Sequence, residues 1–155
     1  MREVILALDA GGTSIKAGIL RDEEIIAERS FAFLSEEREQ MLSVFRQALA
    51  WGRDYGPVCL GVACPGPFDF ARGVSHMRHK WRGLMDVPLP SVFARELPGV
   101  PVRFLHDSTA FLLGEAWQGA ARDMENPAGV MLGTGFGFTV MQRRRVLVDA
   151  NGTPA

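Results

Sequence analysis

Two glycine-threonine turns and one aspartate carry the residue types that could do chemistry. Asp9-Ala10-Gly11-Gly12-Thr13 separates two apolar runs. With no Cβ on either glycine, backbone N–H groups there can approach an anion closely, and Thr13 adds a hydroxyl donor. Asp9 could hold Mg²⁺ through water, since that ion keeps most of its hydration. Gly133-Thr134-Gly135-Phe136-Gly137 repeats the pattern roughly 120 residues later. Each turn taken alone is equally a plain hairpin, because short glycine motifs match often by chance. As a pair they could face each other and hold one polyphosphate from both sides of a cleft.

His106-Asp107-Ser108 follows an apolar run and opens a helical pattern. Asp107 could be a helix N-cap. It could equally be a general base at the C-terminal end of a parallel strand, taking the proton of a substrate hydroxyl during phosphoryl transfer. Pro65-Gly66-Pro67 ends another apolar run, and Gly66 would let a ligand lie against the backbone. The stretch beyond it holds Arg72, His76, Arg78, His79, Lys80, Trp81 and Arg82, which suits a loop bordering a small-molecule cleft. Lys16 and the Arg143–Arg145 run read as a snorkelling side chain and a charged hairpin tip.

The elements that must position these residues follow from periodicity. Residues 4–8, 14–20 and 25–33 read as three strands of an antiparallel meander. Ser35 reads as the N-cap of a helix with a Met41, Leu42, Phe45, Leu49 stripe that ends near Trp51-Gly52. Residues 57–63 are a buried strand, and 64–90 is too long for a simple connection. A short helix at 91–97, a strand at 102–105 and a helix at 108–121, packed through Ala110, Leu113, Ala116 and Trp117, come next. Strands at 129–132, 136–141 and 146–148 close the chain like the opening of a second meander. The fold class is α/β, a mixed sheet that opens with a β-meander and is covered by helices.

The chain has 155 residues and a net charge of -1, which argues against a nucleic-acid partner. Cys59 and Cys64 are too few and too close for a zinc framework, and read as buried free thiols of a reducing compartment. The first apolar run is too short for a signal sequence or a membrane span, so a cytoplasmic location is expected.

Four segments, in order, resemble the ROK family (repressors, uncharacterised reading frames and sugar kinases) of the actin-like, ribonuclease H-like ATPases. They are LALDAGGTSIKAGIL, GVACPGPFDFARG, FLHDSTAFLLGE and GVMLGTGFGFTV. The resemblance implies ATP-dependent phosphorylation of a hexose or an N-acetylated amino sugar, with Asp107 as base. It implies that Gly11, Gly12, Thr13, Gly133, Thr134 and Gly135 hold the ATP phosphates, and that Asp9 holds Mg²⁺. Gly66, Arg78, His106 and Asp107 would line the sugar. It also implies a sugar- and phosphate-binding ribonuclease H-like domain over 1–125, and the start of a second, truncated one over 126–155.

The chain departs from the family pattern at four positions. His106, Thr109 and Arg78 stand where asparagines are usual, and Phe138 where a third glycine is usual. Relatives run to about twice this length. Their later Ala-Gly-Glu…Gly-His segment, Cys-rich zinc site and adenosine-binding lobe are absent, so no zinc site is expected here. With no helix-turn-helix before Met1, the repressor branch is disfavoured. The alternative to a kinase half is a non-catalytic remnant that binds sugar weakly or pairs with another chain. An unfinished meander leaves apolar strand edges open, so self-association is expected.

Overall fold

The computed structural model describes residues 3–132 and 136–155. β1 (Val4–Ala10), β2 (Ser14–Arg21) and β3 (Glu24–Ala32) form the expected antiparallel meander. Alternation decides which face is buried: Leu6 lies opposite Ile19 and Leu8 opposite Ala17, all inside, while Asp9 and Lys16 share the other face.

The first helix, α1 (Arg38–Arg53), covers that inner face with Met41, Leu42, Val44, Phe45, Ala48 and Leu49. Close approach is possible because Gly52 has no side chain; a Cβ there would collide with Leu6. The helix starts later than Ser35. The Ser35 hydroxyl accepts the Glu37 N–H at 3.3 Å in a local turn, and Glu37 is the cap residue. The delay has a tertiary cause: Arg38 Nε donates to the Gly83 carbonyl at 3.0 Å, which ties the helix start to a distant loop.

β4 (Cys59–Cys64) runs parallel to β1, and β7 (Val102–His106) runs parallel to β4. The resulting sheet has the order β3-β2-β1-β4-β7, antiparallel in one half and parallel in the other. Cys64 is buried as expected, but Cys59 is only half-buried because it falls on the opposite face of β4; both thiols are free.

The long connection after β4 has structure of its own. It holds a small hairpin, β5 (Phe68–Asp69) with β6 (Val74–Ser75), and a 3-10 turn at Arg82–Leu84. Next comes α2 (Leu89–Glu96). Trp81 anchors this connection in the core: it is fully buried and meets Phe45 edge-on at 5.8 Å. Phe45 also packs on Phe93, and Phe93 on Phe104, so one aromatic row joins α1, α2 and β7.

α3 (Asp107–Gln118) leaves the end of β7, and its Gln118 side chain donates to the Glu23 carbonyl at the β2–β3 turn. Its buried residues are Ser108, Thr109, Leu112 and Ala116, not the expected Ala110, Leu113 and Trp117. The reason is the partner. β8 (Ala128–Leu132), β9 (Phe136–Gln142) and β10 (Arg145–Val146) make a second sheet, and it packs on that side of α3. Leu112, Ala116, Ala121 and Met141 form its small core. The last expected strand shortens to β10, and Val148 bridges to Pro154 instead. Among the described residues no helix is long and apolar enough to cross a membrane.

Candidate functional site

The β1–β2 connection is a tight turn, closed by Gly11 N–H donating to the Ser14 carbonyl at 2.9 Å. Neither Gly11 nor Gly12 has a left-handed φ, so glycine is not needed here for backbone conformation. Its contribution is open space over the main chain. Thr13 and Gly12 are exposed, and their N–H groups meet no acceptor among the described residues. Two free, outward donors beside a hydroxyl fit phosphate oxygens. The turn is held rigid from behind. Trp81 Nε1 donates to the Gly11 carbonyl at 2.9 Å, and Phe33 N–H donates to the Thr13 carbonyl at 2.8 Å.

Asp9 stands exposed next to this turn, without a side-chain partner among the described residues. No three His, Cys, Asp or Glu side chains converge among the described residues. The donor set therefore fits a hydrated Mg²⁺ held by one carboxylate and by substrate phosphates, rather than an all-protein metal cage.

Asp107 opens α3, and the residue in the N-cap position is His106. His106 Nδ1 lies 2.9 Å from Asp107 Oδ1 and 2.8 Å from Ser108 Oγ. Ser108 N–H reaches Asp107 Oδ1 at 2.7 Å and His106 Nδ1 at 3.3 Å. One ring nitrogen cannot donate to a carboxylate and accept from an amide at once. The shorter contacts and the charge decide it: Nδ1 carries the proton, and Asp107 Oδ1 takes both it and the Ser108 N–H. The hydrogen bonds continue from the Ser108 hydroxyl to Thr139 Oγ1, and from there to the Phe138 carbonyl at 2.8 Å. The carboxylate is thus oriented by a chain that ends on β9.

Burial alone would raise the Asp107 pKa. The hydrogen bond and charge of His106, the Ser108 N–H and the nearby Lys80 ammonium outweigh it, and hold this carboxyl below its ordinary range. Asp107 is therefore ionised at neutral pH and ready to accept. Cys64 lies across the sheet from His106 and behaves oppositely: burial, then the negative charge of Asp107, push its thiol up, so it is no nucleophile.

Gly66 comes to the same place. A Cβ on it would sit 3.5 Å from the His106 ring, at Cδ2 and Nε2, and the ring rests edge-on against Phe70 at 5.7 Å. The fold thus brings Gly66, His106 and Asp107 together. Arg78 is placed differently: it is exposed and lines an open hollow with Met77, Arg82 and Met85. Gly133, Thr134 and Gly135 lie outside the described residues. Their flanking strands run past the start of α3, where a Cβ on Gly137 would be 3.3 Å from Ser108 Cβ. Phe138 turns a half-exposed ring away from that contact. Sequence reasoning missed the role of Trp81 as the strut under the Gly11–Gly12 turn. The available signal was a lone tryptophan in a polar stretch.

The ROK family model matches residues 5–155. The chain belongs to the ROK family. Among its curated ROK-type relatives, the β-glucoside kinase of Klebsiella pneumoniae is 28% identical over 94% of this chain and 48% of its own length. The glucokinase of Thermotoga maritima is 25% identical over 97% of this chain and 48% of its own. The solved ROK hexokinase from Thermus thermophilus is 30% identical, with a TM-score of 0.80 over 98% of this chain and 50% of its own. The chain spans about half the length of the curated relatives it matches. The fold is that of the actin-like ATPases, a mixed sheet with helices on it, shared with these solved ROK structures.

Proposed function

We propose that this chain is the N-terminal half of an ATP-dependent kinase for a hexose or an N-acetylated amino sugar. The observation that carries this is the held Asp107 carboxylate at the end of a parallel strand, with Gly66 and the His106 ring beside it. Residues 1–125 would be the sugar- and phosphate-binding domain, and 126–155 the start of a second.

ATP with Mg²⁺ would supply the transferable phosphoryl group and neutralise its charge. Gly11, Gly12 and Thr13 would hold its phosphates from one side, Gly133, Thr134 and Gly135 from the other, and Asp9 would anchor the ion through water. Asp107 orients the attacking hydroxyl and takes its proton as the bond to phosphorus forms. His106 would present Nε2 towards Gly66. That nitrogen would hydrogen-bond a second sugar hydroxyl. Arg78 would reach the sugar from the rim of the loop. Catalysis of this kind is positioning between two lobes. The 155-residue chain alone would therefore turn over no ATP, and its location would be cytoplasmic.

The test is a calorimetric panel of hexoses and N-acetylated amino sugars against the chain, with ADP release measured in parallel. Weak binding of one sugar class without ADP release is the expected result. Sugar-dependent ADP release by the chain alone would overturn its dependence on a second lobe. No binding of any sugar would count against the sugar site. Large exposed side chains favour a second copy as partner: Leu132 is 82% and Phe136 72% exposed, and Ile25 of β3 lies open too.

A further inference from the structure

Four basic side chains follow β6 in close succession: Arg78, His79, Lys80 and Arg82. Three of them are exposed, and Arg82 Nε already donates to the Arg78 carbonyl at 3.2 Å. His76, just before them, is engaged with Asp86 at 3.0 Å. Lys80 differs from the other three in its burial. It is half-buried, and among the described residues its ammonium has no hydrogen-bond or ion-pair partner.

Its stem lies against the phosphate turn: a Cβ on Gly12 would be 3.9 Å from Lys80 Cδ. The next residue fixes that contact. Trp81 is fully buried, adopts a left-handed backbone with φ of 53°, and donates its indole N–H to the Gly11 carbonyl. The loop is therefore pinned to the turn at Gly11 by residue 81 and lies along Gly12 through residue 80. The Lys80 charge also reaches Asp107. An ammonium whose stem lies along Gly12 and whose charge reaches Asp107 borders the space a transferring phosphoryl group would cross. Lysine suits such a role as a compact point charge with rotatable donors.

We infer that Lys80 is a further phosphate-binding residue of this site, gripping the phosphoryl group between the Gly11–Gly12 turn and Asp107. This rests on the reading of that turn as a phosphate grip, and the two can fail separately. The probe is inorganic tripolyphosphate with Mg²⁺, titrated into the 155-residue chain and followed by the amide signals of Gly11, Gly12 and Thr13. Lys80→Met should weaken binding about tenfold or more, through loss of a charge-assisted contact. Lys80→Arg should stay within about threefold of the parent. Arg82→Met, on the exposed side of the loop, should change nothing. Circular dichroism checks each fold, and Lys80→Gln replaces Lys80→Met should that variant not fold. Parent-like binding by the neutral variant would overturn the role of Lys80 and leave the turn reading intact. Silence of all three amides in the parent would overturn both.

Discussion

His106 Nδ1 donates to Asp107 Oδ1 at 2.9 Å, and the same oxygen takes the Ser108 N–H at 2.7 Å. Both contacts fall on Oδ1, and among the described residues Oδ2 accepts no hydrogen bond. His106 and Ser108 thus orient the Asp107 carboxylate.

Removing that donor should be visible in the carboxyl group. His106→Ala is expected to raise the Asp107 pKa towards its ordinary value, because the largest lowering contribution is gone while burial still raises it. Carboxyl carbon shifts followed against pH would measure this. The sign for stability follows from linkage. A depressed folded-state pKa stabilises above the unfolded value, and that contribution is lost as pH falls through the folded pKa. Asp107→Asn should therefore flatten the acid side of the stability curve below the usual carboxylate range.

Trp81 supports the Gly11–Gly12 turn through one hydrogen bond and a fully buried ring. Trp81→Phe keeps most of the packing but strands the Gly11 carbonyl, and should cost about 1 kcal/mol. Trp81→Ala should cost about 3–5 kcal/mol by opening a cavity beside Phe45. Urea unfolding gives both values. Only Trp81→Phe tests the strut alone, by faster amide exchange at Gly12 and Thr13.

Gly52 of α1 lies against the Leu6 side chain of β1, and a Cβ at 52 has no room. Gly52→Ala should destabilise by about 1–3 kcal/mol despite the better helix propensity of alanine. Combination with Leu6→Ala should recover part of that loss, since the two sites share one space. A double-mutant cycle in denaturant measures the coupling.

Thr109 is buried, and its hydroxyl has no hydrogen-bond partner among the described residues. Thr109→Val should leave stability unchanged or raise it by about 1 kcal/mol, because an unpaired buried hydroxyl is costly. A thermal melt decides it.

Much of the framework was legible in the chain. Alternation in β1 and β2 set strand type and inner face, because Leu6, Leu8, Ile15 and Ile19 leave no other solution. The glycine turn and Asp107 were visible because their spacing fixes them to strand ends. The failures share one physical cause. α3 is apolar on two sides, so periodicity alone could not tell whether Leu112 or Leu113 would meet the second sheet. Ser35 carries every local mark of a cap, yet a contact between Arg38 and Gly83, distant in sequence, sets the helix start. Trp81 and Lys80 gain their roles from a loop folding back on Gly11 and Gly12, a long-range event that local pattern does not encode.

As the proposed base of a sugar-phosphorylating site, Asp107 would govern turnover rather than sugar binding. The most direct measurement is sugar-dependent ADP release by a protein in which residues 1–155 are completed with a ROK C-terminal half, parent against Asp107→Asn. Activity with a hexose or N-acetylated amino sugar, lowered about 10²-fold or more in kcat by the substitution while sugar KM changes little, is the expected result. Equal kcat in the two proteins would contradict it.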